Sequence, residues 1–153
     1  MRDTNSSRRT IVTILLGLLA TFSVMACNGG PTEPTFDELV GGRWRGSING
    51  FQVVLDVRTA PAPGTGGGFN LSGSANALNP TTGESHPLTI SGSSWVRNAE
   101  CSLITVGGAT TGQFWGEVAP DGRSWPGRFT SNTALGAAPI FGPGEYAVTL
   151  SKD

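Results

Sequence analysis

The sequence predicts an all-β domain, an antiparallel up-and-down meander of about eight short strands that forms a small closed or nearly closed barrel, with a β-sandwich as the alternative. Three observations predict it. Beyond residue 41 no apolar spacing of three and four residues recurs, so no amphipathic helix is supported. In its place come short runs in which apolar and polar residues alternate with period two, separated by Gly, Pro, Asn and Asp. The dipeptide Asn49-Gly50 sits between two such runs and supplies the two positive φ angles of a type I′ hairpin turn.

In chain order, Thr35 is an N-cap for a single helical turn over 36–40, with Asp37 and Glu38 in the first turn and Gly41-Gly42 ending it. The first hairpin joins 43–48 to 51–59. Its second strand places Phe51, Val53, Leu55 and Val57 on one face and Gln52, Val54, Asp56 and Arg58 on the other, one face apolar and one mostly polar. A loop follows over 61–68, then Phe69, Leu71, Gly73, Ala75 and Ala77 form the next alternating face, with small residues where a sheet bends or a backbone approaches closely. Further strands are expected at 86–95, 101–106, 112–118, 123–130 and 144–151, with Ala119-Pro120-Asp121-Gly122 as a tight connection. Closure of eight strands removes the two edges that an open sheet leaves available for aggregation.

The N-terminus carries a different signal. Arg2, Arg8 and Arg9 precede residues 11–26, which hold no charge but fall short of the ~20 residues that a membrane-crossing helix needs. A basic start, a short apolar run and small residues make a signal peptide over 1–26. Val24-Met25-Ala26-Cys27 resembles the lipobox of bacterial lipoproteins. The resemblance implies cleavage before Cys27, a thioether from its sulfur to diacylglycerol and acylation of its amine. A thiol is the best side-chain nucleophile for such alkylation, and several acyl chains give stable anchoring where one does not. Asn28, where an aspartate marks inner-membrane retention in proteobacterial lipoproteins, implies the outer membrane. Ser7-Arg8-Arg9-Thr10-Ile11-Val12 is also similar to a partial twin-arginine motif, with Thr13 at a position that usually holds lysine. Residues 27–35, rich in Gly and Pro, are a flexible tether, and 36–153 is the single folded domain.

Gly42-Arg43-Trp44, at the start of the first strand and behind a helical turn, resembles the Gly-x-Trp opening of the lipocalins and the wider calycin group. In that group the Trp plugs the closed end of the barrel. The match covers the first strand only, no counterpart of the lipocalin Thr-Asp-Tyr motif is present, and the domain is nearer in length to fatty-acid-binding or avidin-like barrels.

Charge and chemistry exclude several classes. The formal net charge is -1, and the basic residues of the domain, Arg43 to Lys152, alternate with scattered acids, so no basic stripe tracks phosphates and nucleic acid is not an expected partner. The single histidine, His86, rules out a zinc site built from several imidazoles, and neither a metal nor a cofactor is expected. No Gly-x-Ser-x-Gly elbow is present, and no lysine or helix follows Gly64-Thr65-Gly66-Gly67-Gly68 to make a phosphate cradle. With Cys27 lipidated, Cys101 is left without a disulfide partner and reads as a small buried strand residue.

The expected function is therefore non-enzymatic: a lipid-anchored protein of the cell envelope, membrane-bound through Cys27, whose barrel binds a small apolar ligand or an envelope protein. Candidates to face a ligand are Trp44, Phe51, Val53, Phe69, Trp95, Phe114 and Trp115. Abundant Gly and Ala on inward positions suggests room inside an eight-stranded barrel, which is about wide enough to fill itself or to hold one small ligand. Trp115 and Trp125, on neighbouring strands near Asp121-Gly122, are expected to pair across them, or to line a cavity or an exposed face. The alternative is a structural or assembly lipoprotein with a solid core. A hydrolase would need acids among Asp56, Glu84, Glu100, Glu117 and Asp121 to converge in a cleft.

Overall fold

The structure is a computed structural model that describes residues 35–64, 67–95, 97–131 and 140–153. The expected signal peptide, Cys27 and most of the expected tether lie outside the described residues. Eight strands run in sequence order, each antiparallel to the next: β1 Gly42–Ile48, β2 Phe51–Pro61, β3 Gly68–Leu78, β4 Ser85–Trp95, β5 Asn98–Thr105, β6 Thr110–Glu117, β7 Ser124–Ser131 and β8 Gly144–Lys152. Pairing of β1 with β8 closes the barrel, which removes the sandwich alternative. A short helix, α1 Phe36–Val40, precedes β1.

The first hairpin follows from its turn chemistry. Asn49 and Gly50 have φ of 44° and 85°, and Ile48 pairs directly with Phe51, as a two-residue loop of left-handed residues requires. β5 differs from the expected 101–106: it begins at Asn98 and stops before Val106, which is exposed. Asn98 and Glu100 are poor strand formers by themselves. Here β4 and β6 flank them, Asn98 pairing with Trp95 and Glu117, and Glu100 with Ser93 and Trp115.

Helix α1 is held by a capping box: Glu38 N donates to Thr35 Oγ1 at 3.3 Å, and Thr35 N donates to Glu38 Oε2 at 2.7 Å. These bonds favour the ionised carboxylate and lower the Glu38 pKa from its ordinary value. The helix lies across one end of the barrel. Val40 is fully buried beneath it, Phe36 stacks on Phe69 of β3 with ring centroids 4.2 Å apart, and Lys152 of β8 donates from Nζ to the Glu38 and Leu39 carbonyls. Burial lowers the Lys152 pKa, while Asp37 and Glu38 oppose that shift.

The β1/β8 seam is short in register, Trp44 opposite Lys152 and Arg45 opposite Ser151. Asp153 extends it: its amide donates to the Arg43 carbonyl at 3.0 Å, and its carboxylate meets Arg45 at 2.6 Å and Arg43 at 3.4 Å. Both ion pairs are solvent-exposed and each adds about 1 kcal/mol at most.

The barrel axis is occupied by aromatic rings. Trp125 lies edge-on to Trp44 at 5.4 Å and to Phe114 at 5.1 Å, while Phe129 and Phe51 lie edge-on to Phe141 at 4.9 and 5.5 Å at the end away from α1. Phe141 is seated there by its carbonyl, which accepts from Asn49 Nδ2 at 2.6 Å and from the Tyr146 hydroxyl at 3.2 Å. The small inward residues do not all stand beside open space. A Cβ on Gly112 would stand 2.2 Å from Phe129 Cζ, and one on Gly116 would stand 2.2 Å from the Pro126 carbonyl oxygen. Gly112 thus makes space for the Phe129 ring, and Gly116 lets the β7 backbone lie close alongside β6.

Candidate binding face

Period-two alternation divides the seven candidate residues between inside and outside. On β6, Gly112, Phe114 and Gly116 are buried, so Trp115 points outward; on β4, Leu88, Ile90 and Ser94 are buried, so Trp95 points outward. Trp95 is 53% exposed and Trp115 55% exposed, whereas Trp44, Val53 and Phe114 belong to the packed core. Phe51 is half-buried, near His86 and Phe141, and Phe69 is half-buried against Phe36. The seven residues therefore do not line one interior cavity. The expected pairing of Trp115 with Trp125 is also corrected: Trp115 pairs with Arg128 and Trp125 with Leu150, so the two indoles stand on opposite faces of the sheet.

The two outward indoles border an open groove of about 480 Å³ near the α1 end, where the outward residues Asn70, Ser93, Asn98 and Glu100 meet Phe69 and the buried Ser94, Ala99 and Gly116. The register fixes its geometry. Trp95 is level with Asn98, Trp115 is level with Glu100, and β5 runs between them. Two strand spacings sideways and two residues along place the tryptophan Cα atoms roughly 12 Å apart. Among the described residues, the side chains of Asn70, Ser93 and Asn98 take no part in a hydrogen bond, and Glu100 forms no ion pair. The nearby cations are engaged: Arg97 with Glu117 at 2.8 Å and Arg128 with Glu145 at 2.6 Å. The groove is thus apolar at its two ends and neutral to weakly acidic between them.

The acids that a hydrolase would need are distributed over the barrel. Asp56 is on β2, Glu84 lies beside His86 at 3.5 Å, Glu117 is held by Arg97, and Asp121 accepts from the Arg123 amide at 3.0 Å in the β6–β7 turn. Among the described residues no three His, Cys, Asp or Glu side chains gather as a metal site would require. Cys101 is fully buried, and desolvation pushes its thiol up to about 12, with the Glu100 charge adding to the shift.

The signal that separates the outward tryptophans from the core was present in the sequence. Phe114 and Trp115 are adjacent in one strand and so face opposite sides, and the parity of Leu88 and Ile90 assigns Trp95 to the outside. No protein-family model, no curated protein and no solved structure matches this chain.

Proposed function

We propose that the protein is a lipid-anchored lipoprotein of the bacterial cell envelope, held in the outer membrane by acyl chains on Cys27, whose barrel is a non-enzymatic binding module acting through its outer surface. The single observation that carries the mode of binding is the division of the tryptophans: Trp44 and Trp125 pack into a ring-filled axis, while Trp95 and Trp115 stand exposed beside a groove. A filled barrel is a rigid scaffold, and a large aromatic side chain left in water on such a scaffold is suited to an incoming surface. The helix-capped end, with Trp44 buried beneath it, supports kinship with the calycins in architecture; the packed interior favours external binding over an enclosed apolar ligand. The leader and the lipobox-like Val24-Met25-Ala26-Cys27 support the anchor.

Detergent-phase partitioning of the full-length protein and of its Cys27→Ser variant tests the anchor. The wild type should enter the detergent phase and the outer-membrane fraction, and Cys27→Ser should lose both properties. Equal partitioning of the two proteins would refute lipidation at Cys27.

A further inference from the structure

The groove between Trp95 and Trp115 has a composition that restricts what fits it. Outward positions of β3 to β6 are dominated by neutral polar residues such as Asn70, Ser72, Ser74, Ser91, Ser93 and Gln113, and the two indoles, each a little over half exposed, stand among them. A protein-docking hot spot would surround such anchors with a closely packed apolar patch. A polyanion would need free cations, yet Arg97 and Arg128 are already paired with Glu117 and Glu145.

We infer that the groove is a saccharide site that takes an unbranched chain of β-1,4-linked pyranoses, an inference that rests on the outer-face reading above. A pyranose whose substituents are equatorial presents axial C–H bonds on its flat faces and hydroxyls around its rim. The faces stack on indoles, which are apolar across the ring with a polar edge. The rim meets Asn98 and Glu100, which the register sets between the two plates. An amide both donates and accepts, and an ionised carboxylate accepts from two neighbouring hydroxyls at once. The ~12 Å separation set by strand spacing is the length of two to three rings, so one chain reaches both plates. A β-1,4 linkage keeps the chain extended and flat, which matches an open groove that a polymer crosses.

The test is a titration of the detergent-solubilised full-length protein with cellotetraose and, separately, chitotetraose, followed by tryptophan emission. At least one sugar should shift the emission saturably, with a Kd of about 1 mM or tighter. Trp95→Ser and Trp115→Ser should each weaken binding at least about tenfold, and Glu100→Gln should weaken it a few-fold. Sedimentation and thermal melting of the same variants should match wild type, which separates lost binding from lost folding. No response to either sugar up to about 10 mM would overturn the saccharide assignment, as would binding undiminished in both tryptophan variants. Self-association abolished by those variants would assign the groove to a second copy of the chain and likewise overturn it. The outer-face reading fails by a different result, a bound apolar molecule that native mass spectrometry shows leaving only on denaturation.

Discussion

The indole of Trp44 donates from Nε1 to the carbonyl of Val40 at 2.8 Å, and this buried bond ties the first strand to the helix that crosses the barrel end. Trp125, its edge-on neighbour, has an Nε1 that is also buried and finds no partner among the described residues. The two rings share burial and differ in polar satisfaction, so they should respond differently to the same substitution. Trp44→Phe removes a donor, leaves the Val40 carbonyl unpaired and opens a void, costing about 2–4 kcal/mol. Trp125→Phe opens a similar void but relieves an unsatisfied donor, so it should cost less, about 1–2 kcal/mol. Thermal melts read the difference at roughly 4–6 °C per kcal/mol for a domain of this size. A larger loss in Trp125→Phe would contradict the assignment.

The glycines give a second pair of contrasting outcomes. A Cβ on Gly50 would meet nothing within 4 Å, so the penalty for Gly50→Val is that of a β-branched residue at φ 85°, about 1–2 kcal/mol. Gly116 pairs with Gly127 across β6 and β7, and a Cβ there would sit 2.2 Å from the Pro126 oxygen and 2.8 Å from Gly127 Cα. Gly116→Ala should therefore cost more, about 3 kcal/mol, because backbone must move. Equilibrium unfolding in urea checks both, and a neutral Gly116→Ala would mean that the strands are not so closely apposed.

In Cys27→Ser protein, Cys101 is the only thiol. Its folded pKa is raised from 9.0 to about 12, so the native thiol should resist an aromatic disulfide reagent at pH 8 and react at once in denaturant. A raised folded pKa means that its contribution to stability is complete below pH 9 and is lost as the pH rises from 9 towards 12. Cys101→Ala should flatten the alkaline limb of the stability profile; an unchanged limb would place its cause elsewhere.

Acrylamide should quench two of the four tryptophans readily, Trp95 and Trp115, and leave Trp44 and Trp125 protected. The double variant Trp95→Ser/Trp115→Ser should lose the quenchable fraction while its stability stays within about 1 kcal/mol of wild type, because neither ring is part of the packed core. A large destabilisation would show that these rings pack against the fold.

Much of the architecture was legible because its causes are local. Alternation in residues such as Val53, Leu55 and Val57 reports which side is buried, Asn49-Gly50 encodes its own turn, and Thr35 with Glu38 encodes a helix start. The start of β5 was not legible, since Asn98 and Glu100 become strand residues only through partners on both sides. The filling of the interior was illegible for the same reason: Gly112 reads as empty space until Phe129, distant in sequence, is laid over it. The exposed tryptophans could be read from strand parity, but the groove between them depends on the register of three strands.

Native mass spectrometry of the protein purified from cells grown in rich extract tests most directly the claim that a filled barrel binds through its outer face. Apart from the lipid proposed on Cys27, the native and denatured masses should agree. An additional apolar molecule released only on denaturation, and retained by the Trp95→Ser/Trp115→Ser variant, would contradict that claim by showing that the barrel holds its ligand inside.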